Sequence, residues 1–398
     1  MEHYYGVRVA GPLAEYVDGF VAEATGKGFS SKSIRYSLLA MARISAVAES
    51  RGAGAGDLPS GLIGGLVASG ACGYRGVTGR RSALIGYLRS VGVVAEPEPE
   101  DGPLERLLSR FGDYLARERG LAPATVGQRL GTVRRFLAGR VDEMGRLAPI
   151  GAADVVGFVE DAVHAGLARG TCALVATDLR SWLRFLCLAG LADRDLAAFV
   201  PAVANPSRRL SLGLTSGQTA RLLGTCDRGR PEGRRDYAVL VTICRLGLRA
   251  GEVAGLCLDD IDWRNGWLTV RGKGKSLERL PLPVDVGEAI AAHLRGRPPG
   301  AEGCRSVFLR AVAPRVGLGR AGVSGIVLKA GRAAGLGDVR AHRLRHSVAT
   351  QMLGQGVGLA QIGEVLRHKH TSTTAVYAGV DLVSLAGLAR PWPLGGVR

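Results

Sequence analysis

Apolar and polar residues alternate with two different periods in the last half of the chain. RRDYAVLVTICRLGL (234–248) has helical spacing and predicts a helix, and GEVAGLCL (251–258) begins a shorter one. WLTVRGKGKSLERLPLP (267–283) has strand character on both sides of a Gly-Lys-Gly-Lys turn and predicts a β-hairpin. Further helices are predicted at about 323–335, 345–355, 359–367, 371–379 and 381–390.

Two earlier stretches of the chain look like copies of each other. Gly28 and Arg43 in the first align with Gly120 and Arg135 in the second, both at an offset of 92 residues. Each stretch is typical of a helix, a Ser/Thr-capped helix, a short helix and a final amphipathic helix. The pattern therefore predicts two tandem helical domains. The alternative is a chance likeness between amphipathic helices.

Two segments that suit neither helix nor strand divide the 398 residues, a length that favours two or three domains. AEPEPEDGP (95–103) is acidic and rich in Pro, and VPAVANPSRRLSLG (200–213) contains two prolines and then a basic run. The fold class expected is mainly α with a small antiparallel β-sheet. The predicted divisions are an N-terminal helical domain at 1–95, a linker at 96–102, a second helical domain at 103–200 and a mixed α+β domain at 207–398.

Positive charge is concentrated in the last half of the chain. The 52 Lys and Arg residues against 35 Asp and Glu residues give a net charge of +17 and a pI near 10.2. Residues 206–398 carry +15, residues 1–95 carry +4, and residues 96–205 carry −2. Such a balance favours a polyanionic partner, either nucleic acid or a membrane surface. Since no run of about 18 apolar residues and no signal-peptide pattern is present, we expect no membrane span and a cytoplasmic protein.

The seven cysteines form no C-x-x-C motif and no ligand-like pairing with histidine. Most of them, such as Cys187 in WLRFLCLAG, lie in apolar helical contexts, so buried and reduced thiols are expected. His346, His368 and His370 suggest zinc, but no cysteine or carboxylate lies at a matching spacing. No metal is predicted.

Several short segments carry side chains that suit phosphodiester chemistry. A tyrosine phenol, with a pKa near 10, needs a base or a cationic surround in order to attack a phosphate. Two guanidinium groups can stabilise the charge of a pentacoordinate phosphorane, and an ammonium or imidazole group can transfer protons. The candidates are Arg249, Lys273, His342, Arg345, His368 and Tyr377.

Each candidate also has an ordinary structural explanation. Tyr377 could be a half-buried core residue, and Arg249 could simply pair with Glu252 at i+3. A lysine at a hairpin tip could serve solubility alone, and spacing does not separate Lys273 from Lys275 as proton donor. If Arg249 contacts a phosphate, Glu252 is expected to orient it rather than to bind a metal.

The set as a whole resembles the tyrosine recombinases, the phage integrase family, whose pattern is Arg, Lys, His-x-x-Arg, His or Trp, and Tyr. The spacings are 24 residues from Arg249 to Lys273, 23 from Arg345 to His368 and 9 from His368 to Tyr377. The resemblance covers residues 207–398 and favours Lys273 over Lys275.

The resemblance extends into the helical half with two departures. Residues 103–200 are similar to the family's SAM-like core-binding domain. Residues 1–95 look like a second copy of it, where many members have an arm-site-binding domain. Arg367 stands where the family usually has glycine.

The resemblance implies a site-specific DNA recombinase that needs neither cofactor nor metal. Tyr377 would form a 3′-phosphotyrosyl link and free a 5′-hydroxyl, and a hydroxyl from a partner duplex would then attack that link. The implied partners are double-stranded DNA with recombination sites and three further protomers, either identical copies or sister recombinases. The helix at about 381–390 would dock on a neighbouring protomer, and the protein would associate with the nucleoid.

A clamp on DNA is expected, with the basic last half on one face of the duplex and the second helical domain on the other. The helix after Thr125 is expected to face DNA because arginines cluster there in a nearly neutral domain. The predicted contacts are Arg129, Arg134, Arg135, Arg140 and Lys275.

DNA integration, excision or transposition for a mobile element is the expected role. Resolution of chromosome or plasmid dimers would use the same chemistry. A type IB topoisomerase and a DNA-binding regulator with an inactive site are the remaining alternatives.

Overall fold

The computed structural model describes residues 4–55, 78–94, 102–142, 147–204, 213–272, 277–297, 301 and 303–367. The chain divides into two compact units, one formed by Met1–Val94 with Leu210–Arg398 and the other by Ala95–Arg209. Within the described ranges the structure is mostly helical with one three-stranded antiparallel sheet, which confirms the predicted fold class. No helix in these ranges is both long enough and apolar enough to cross a bilayer.

The first helical region contains α1 (Val17–Gly26), α2 (Ser31–Ser50) and α3 (Thr78–Ser90). The α2 helix begins where the Ser30 hydroxyl accepts a hydrogen bond from the backbone N–H of Ser33 at 3.3 Å. The apolar stripes of the three helices meet in one core, in which Leu38 and Leu88 are fully buried. The ring of Phe20 packs on that of Tyr87, with centroids 5.6 Å apart.

The second helical region contains α4 (Pro103–Asp113), a π-helical segment (Tyr114–Glu118), α5 (Pro123–Leu137), α6 (Ala152–His164) and α7 (Arg169–Leu188). The α5 helix starts at a proline, whose fixed φ and missing N–H suit the first helical position. The expected Ser/Thr cap is therefore absent, because Ala122 occupies the capping position. The core is aromatic, with Phe111 packed on Phe185 at 5.2 Å and on Trp182 at 5.0 Å.

The two helical regions repeat the same internal contact. In each, a phenylalanine of the first helix packs on an aromatic ring of the last, as Phe20 does on Tyr87 and Phe111 on Phe185. The offset between the two phenylalanines is 91 residues, whereas Gly28 and Gly120, both at positive φ, differ by 92. The π-helical segment lies between Phe111 and Gly120, and a π-helical turn absorbs one extra residue.

The basic region is the part of the chain after residue 205, which carries most of the positive charge. Its first helices are α8 (Ser216–Gly224), α9 (Pro231–Leu246) and α10 (Ala250–Ala254). It continues through strands β1 (Ile261–Asp262), β2 (Trp267–Arg271) and β3 (Leu277–Pro281). The helices that follow within the described residues are α11 (Val284–Arg295), α12 (Arg320–Ala333), α13 (Ala341–Gly354) and α14 (Leu359–Val365).

The sheet has the order β1-β2-β3, and its last two strands form the predicted hairpin. Arg271 pairs with Leu277 at the end nearest the connecting residues, of which 273–276 lie outside the described ranges. The α13 helix starts four residues before the expected 345, so His342 and Arg345 share one helix. The helices expected at 371–379 and 381–390 lie outside the described residues.

The prediction that most cysteines are buried was wrong. Of the six described cysteines, all of which are free thiols, only Cys172 is buried and Cys187 is exposed. The α7 helix turns Trp182, Leu183 and Leu186 into the core and leaves Cys187 outside, because one helical face cannot bury every residue of a continuous apolar run.

Candidate active site

Arg249 is positioned by a sharp turn between α9 and α10. The α9 helix ends at Leu246 and is capped by Gly247, which has φ +60°, a left-handed conformation that favours glycine. A Cβ at Gly247 would also lie 2.6 Å from Cδ2 of Leu366. After the buried Leu248, Arg249 precedes the first residue of α10, with 43% of its side chain exposed.

Glu252 fixes the orientation of Arg249. One carboxylate oxygen accepts a hydrogen bond from Arg249 Nη1 at 2.6 Å, and the other accepts from the Arg249 backbone N–H at 2.9 Å. Burial by itself would raise the pKa of Glu252, but these hydrogen bonds and the charges of Arg367 and Arg249 lower it overall. Glu252 therefore orients the arginine as an anion, as the sequence suggested.

Arg345 lies on α13 with only 1% of its surface exposed. Its Nη1 donates to the carbonyl oxygen of Gly247 at 2.6 Å, and its Nη2 donates to the carbonyl oxygen of Leu366. One guanidinium group thus holds together the turn before Arg249 and the segment that leads to His368.

The two candidate arginines come together at this segment. Arg249 Nη2 donates to the carbonyl oxygen of Arg367 at 3.3 Å, while Arg345 bonds the carbonyl of the preceding residue. The segment is held in place because Leu366 is fully buried in a small cluster with Val348, Ala349 and Ile362. Two guanidinium groups from distant parts of the chain therefore meet at consecutive peptide groups.

Arg367 also lies in this cluster of charges. Its backbone has φ +56°, and its side chain is only 4% exposed. Its Nη2 lies 2.9 Å from Oε2 of Glu252, and its Nε lies 3.6 Å from Oε2 of Glu278 on β3. Sequence reasoning noted the charge of Arg367 but missed Glu278, because no local pattern links a strand glutamate to a residue 89 positions later.

His342 lies in the first turn of α13 and is exposed. Its ring contacts that of His346 in a T-shaped arrangement, with centroids 4.2 Å apart. Because it precedes Arg345 by three residues, it lies on a neighbouring part of the same helix. Lys273, Lys275, His368 and Tyr377 lie outside the described residues, and their roles stay predictions.

Arg129, the first of the arginines predicted to contact DNA, makes its contacts inside the second helical region. Its Nη1 donates to Ser181 Oγ at 2.7 Å, and its Nε lies 3.5 Å from the buried carboxylate of Asp178. With 17% of the side chain exposed, Arg129 connects α5 to α7.

The other three arginines lie nearer to solvent. Arg134 pairs with Glu105 at 2.6 Å, and Arg140 pairs with Asp154 at 3.5 Å and covers the ring of Phe136. Arg134 and Arg135 are exposed. The DNA-contact role of all four arginines stays a prediction.

Comparison with known sequences identifies the family. Residues 213–382 match the Phage integrase family. The chain is 39% identical over 395 residues to y4rA, a Sinorhizobium fredii protein named as an integrase/recombinase, covering 96% of this chain and 95% of that protein. It is 33% identical over 303 residues to the tyrosine recombinase XerD of Mycobacterium tuberculosis, covering 72% and 95%. The chain therefore belongs to the tyrosine recombinase family, and it is a tyrosine-type site-specific recombinase.

Solved structures share the fold. A lambda integrase dimer bound to a core site superimposes with a TM-score of 0.54 at 18% identity, covering 74% of this chain and 99% of that one. The Tn1549 transposon integrase in complex with circular intermediate DNA gives a TM-score of 0.52 at 17% identity, covering 71% and 99%. At this level of identity the likeness concerns the fold.

Proposed function

We propose that Arg249, Lys273, His342, Arg345, His368 and Tyr377 form one catalytic set that cleaves and rejoins DNA. The observation that carries the proposal is the meeting of Arg249 and Arg345 at the peptide groups directly before His368. A pair of guanidinium groups at one place suits a phosphate whose non-bridging oxygens gain charge in the transition state.

The two arginines take different parts in this proposal. Arg249 has an exposed guanidinium that DNA can approach, and Glu252 holds it in one orientation. Arg345 is buried and fixes the peptide groups of Gly247 and Leu366, and it also donates to the phosphate when DNA is bound. A preorganised cationic site avoids reorganisation at the moment of reaction.

The remaining members move protons and make the new bond. The phenol oxygen of Tyr377 attacks the phosphorus, and the bond to the 5′ oxygen breaks as Lys273 gives that oxygen a proton. The phenol proton passes to the imidazole of His342 or of His368, the two candidate bases of the set. The second step reverses the first, with the 5′-hydroxyl of a partner strand as nucleophile. No cofactor takes part in either step.

The experiment that tests the set is covalent trapping on nicked DNA. The wild-type chain is expected to form a 3′-linked protein–DNA adduct, and Tyr377→Phe is expected to bind the same DNA without forming one. The matched control is Tyr237→Phe, which removes the hydroxyl of a partly buried tyrosine of α9 and should leave adduct formation intact. An adduct with Tyr377→Phe would overturn the assignment of the nucleophile.

The finer biological role belongs to the same proposal. We assign the chain to integration, excision or transposition of a mobile element, acting as four protomers on two DNA sites within the nucleoid. One supporting observation is that the similar folds include a lambda integrase tetramer bound to a Holliday junction, at 18% identity and a TM-score of 0.53. Resolution of DNA dimers fits the same chemistry. Sequencing the ends of DNA trapped on the protein in cells would separate the two roles.

We propose that residues 1–95 are a second copy of the helical domain at 103–200. The recurring aromatic contact between first and last helices supports this, as do the positive φ angles at Gly28 and Gly120. We propose that both copies lie along DNA, so deletion of the first copy should shorten the DNase footprint. An unchanged footprint would contradict this role.

A further inference from the structure

Arg367 pairs with two glutamates from other segments of the basic region, and all three residues are far apart in the sequence. Glu252 belongs to α10 beside Arg249, Glu278 belongs to β3, and Arg367 directly precedes His368. Its guanidinium is enclosed between the two carboxylates, and its buried Nε makes no hydrogen bond within the described residues. That Nε faces the carboxylate of Glu278, whose Oε2 lies 3.6 Å away.

The contact with Glu278 reaches the hairpin close to its tip. Leu277 and Arg271 form the last strand pair before the connecting residues, and Glu278 is the next residue along β3. On the opposite strand, Arg271 Nη1 lies 2.5 Å from Oδ2 of the buried Asp260. Both strands are therefore held by ion pairs next to the segment that carries Lys273.

The two ion pairs hold the hairpin to different places. Asp260 directly precedes β1, so the Arg271 pair connects the hairpin to its own sheet. The Arg367 pair instead connects the hairpin to the peptide group whose carbonyl oxygen accepts from Arg249. Of these two ion pairs, the one between Glu278 and Arg367 links the position of the hairpin to that of Arg249.

We infer that the Glu278–Arg367 ion pair positions the hairpin so that Lys273 reaches the departing 5′ oxygen. Glu278 and Arg367 are positioning residues in this account, and neither touches the reacting atoms. The inference rests on the proposed function, because it takes Lys273 as the proton donor.

The test uses the full-length chain and nicked DNA that traps the covalent complex, prepared in two forms. One form has the ordinary phosphodiester at the cleavage position, and the other has sulfur in place of the bridging 5′ oxygen. A thiol has a pKa near 8.5, far below that of an alcohol, so the sulfur leaves without a proton donor. A defect confined to protonation therefore disappears on the sulfur DNA.

Glu278→Gln should slow formation of the covalent complex on ordinary DNA by about ten- to a hundredfold, the size expected for a misplaced catalytic group. The Kd for DNA should be unchanged, and the rate on sulfur DNA should equal that of the wild type. Arg279→Gln is the matched control. It removes an ion pair of the next residue on β3, with Asp262 at 3.6 Å, that does not involve Arg367. It should react like the wild type on both DNAs.

Two results would overturn the inference. If Glu278→Gln is slowed equally on both DNAs, the residue supports the fold or another catalytic group. If it is not slowed on ordinary DNA, the ion pair has no effect on the rate of cleavage. Lys273→Ala separates the inference from the proposed function. If sulfur DNA fails to rescue Lys273→Ala, the assigned donor is wrong and the inference falls with it. If it rescues Lys273→Ala but not Glu278→Gln, the positioning role alone is wrong.

A double variant provides a second, independent measurement. Arg367→Gly removes the guanidinium and introduces the residue that adopts the left-handed backbone of this position most readily. Adding Glu278→Gln to Arg367→Gly should cause no further loss on ordinary DNA, because the two residues act through one contact. Losses that multiply would show that they act separately and would overturn the inference.

Discussion

Arg345 donates a hydrogen bond to the carbonyl oxygen of Gly247 at 2.6 Å, joining residues that are 98 positions apart in the chain. The same guanidinium bonds the carbonyl oxygen of Leu366, so one buried cation defines the distance between two segments of the site. A residue of the proposed catalytic set thus also holds two segments of the basic region together. Its two roles can be separated by measuring stability and cleavage together.

Replacement of Arg345 by alanine should lower the free energy of unfolding by about 2–4 kcal/mol, because two buried carbonyl groups lose their donors. Arg249→Ala removes a half-exposed guanidinium and should cost about 1 kcal/mol or less. Both variants should lose cleavage. Urea denaturation beside the covalent-trapping assay checks this, and equal stabilities for the two variants would refute the structural role of Arg345.

Gly247→Ala should be more destabilising than the same change at Gly335. Both residues have positive φ, which costs alanine about 1–2 kcal/mol, but of the two only Gly247 has a neighbour in the way of a Cβ. The clash with Leu366 should add about 1–3 kcal/mol and displace the turn before Arg249. Denaturation and cleavage measured on both variants test this. Equal losses of stability and of cleavage in the Gly335 and Gly247 variants would contradict the clash with Leu366.

Glu252→Gln should remove a pH-dependent part of the stability. The pKa of Glu252 is lowered in the folded state, so its contribution is fully present above the unfolded pKa, near 4.3, and is lost as the pH falls through the lower folded value. The difference in unfolding free energy between wild type and variant should therefore shrink below about pH 4. A difference that stays constant from about pH 7 to 3 would contradict the linkage.

His293 should make the protein less stable in weak acid. Its ring is buried, stacked on Phe308, and hydrogen-bonded to the carbonyl of Val307. The hydrogen bond favours the charged form, but burial outweighs it and lowers the pKa of His293 to about 4. The unfolded state binds the proton first, so stability falls as the pH drops from about 6.5 towards 4, by roughly 3 kcal/mol in all. His293→Gln should flatten this slope in urea titrations at several pH values. An unchanged slope would assign the acid sensitivity to other groups.

Arg135→Glu should affect DNA binding, whereas Arg129→Glu should affect stability. Arg135 is exposed on α5, so its reversal should weaken DNA binding and reduce the slope of log K against log salt by about 0.9 or more, with stability unchanged. Arg129 is packed against Asp178 and Ser181, so its reversal should destabilise the helical region. Binding titrations over a range of salt concentrations, with thermal unfolding of both proteins, check the pair. If Arg135→Glu keeps the wild-type slope of log K against log salt, Arg135 on α5 does not contact DNA.

The family, the fold class, the hairpin and most helices of the basic region were predictable from the order of residues alone. These features depend on local periodicity and on the spacing of chemical groups along the chain, and both are visible without a structure. The two paired strands lie on either side of the Gly-Lys-Gly-Lys sequence as expected, and α12 and α14 begin within three residues of their predicted starts. The interaction of Glu252 with Arg249 was also foreseeable, because both lie within one helical turn.

Which side chain each charged residue faces could be read only from the folded chain. The hydrogen bond of Arg345 to Gly247, the ion pair of Arg129 with Asp178 and the ion pair of Arg367 with Glu278 each join residues that lie 49 to 98 positions apart. The exposure of Cys187 likewise depends on which face of α7 the rest of the domain covers. Helical and strand patterns arise from neighbours in the chain, whereas ion pairs and burial depend on packing between distant segments, which no local pattern encodes.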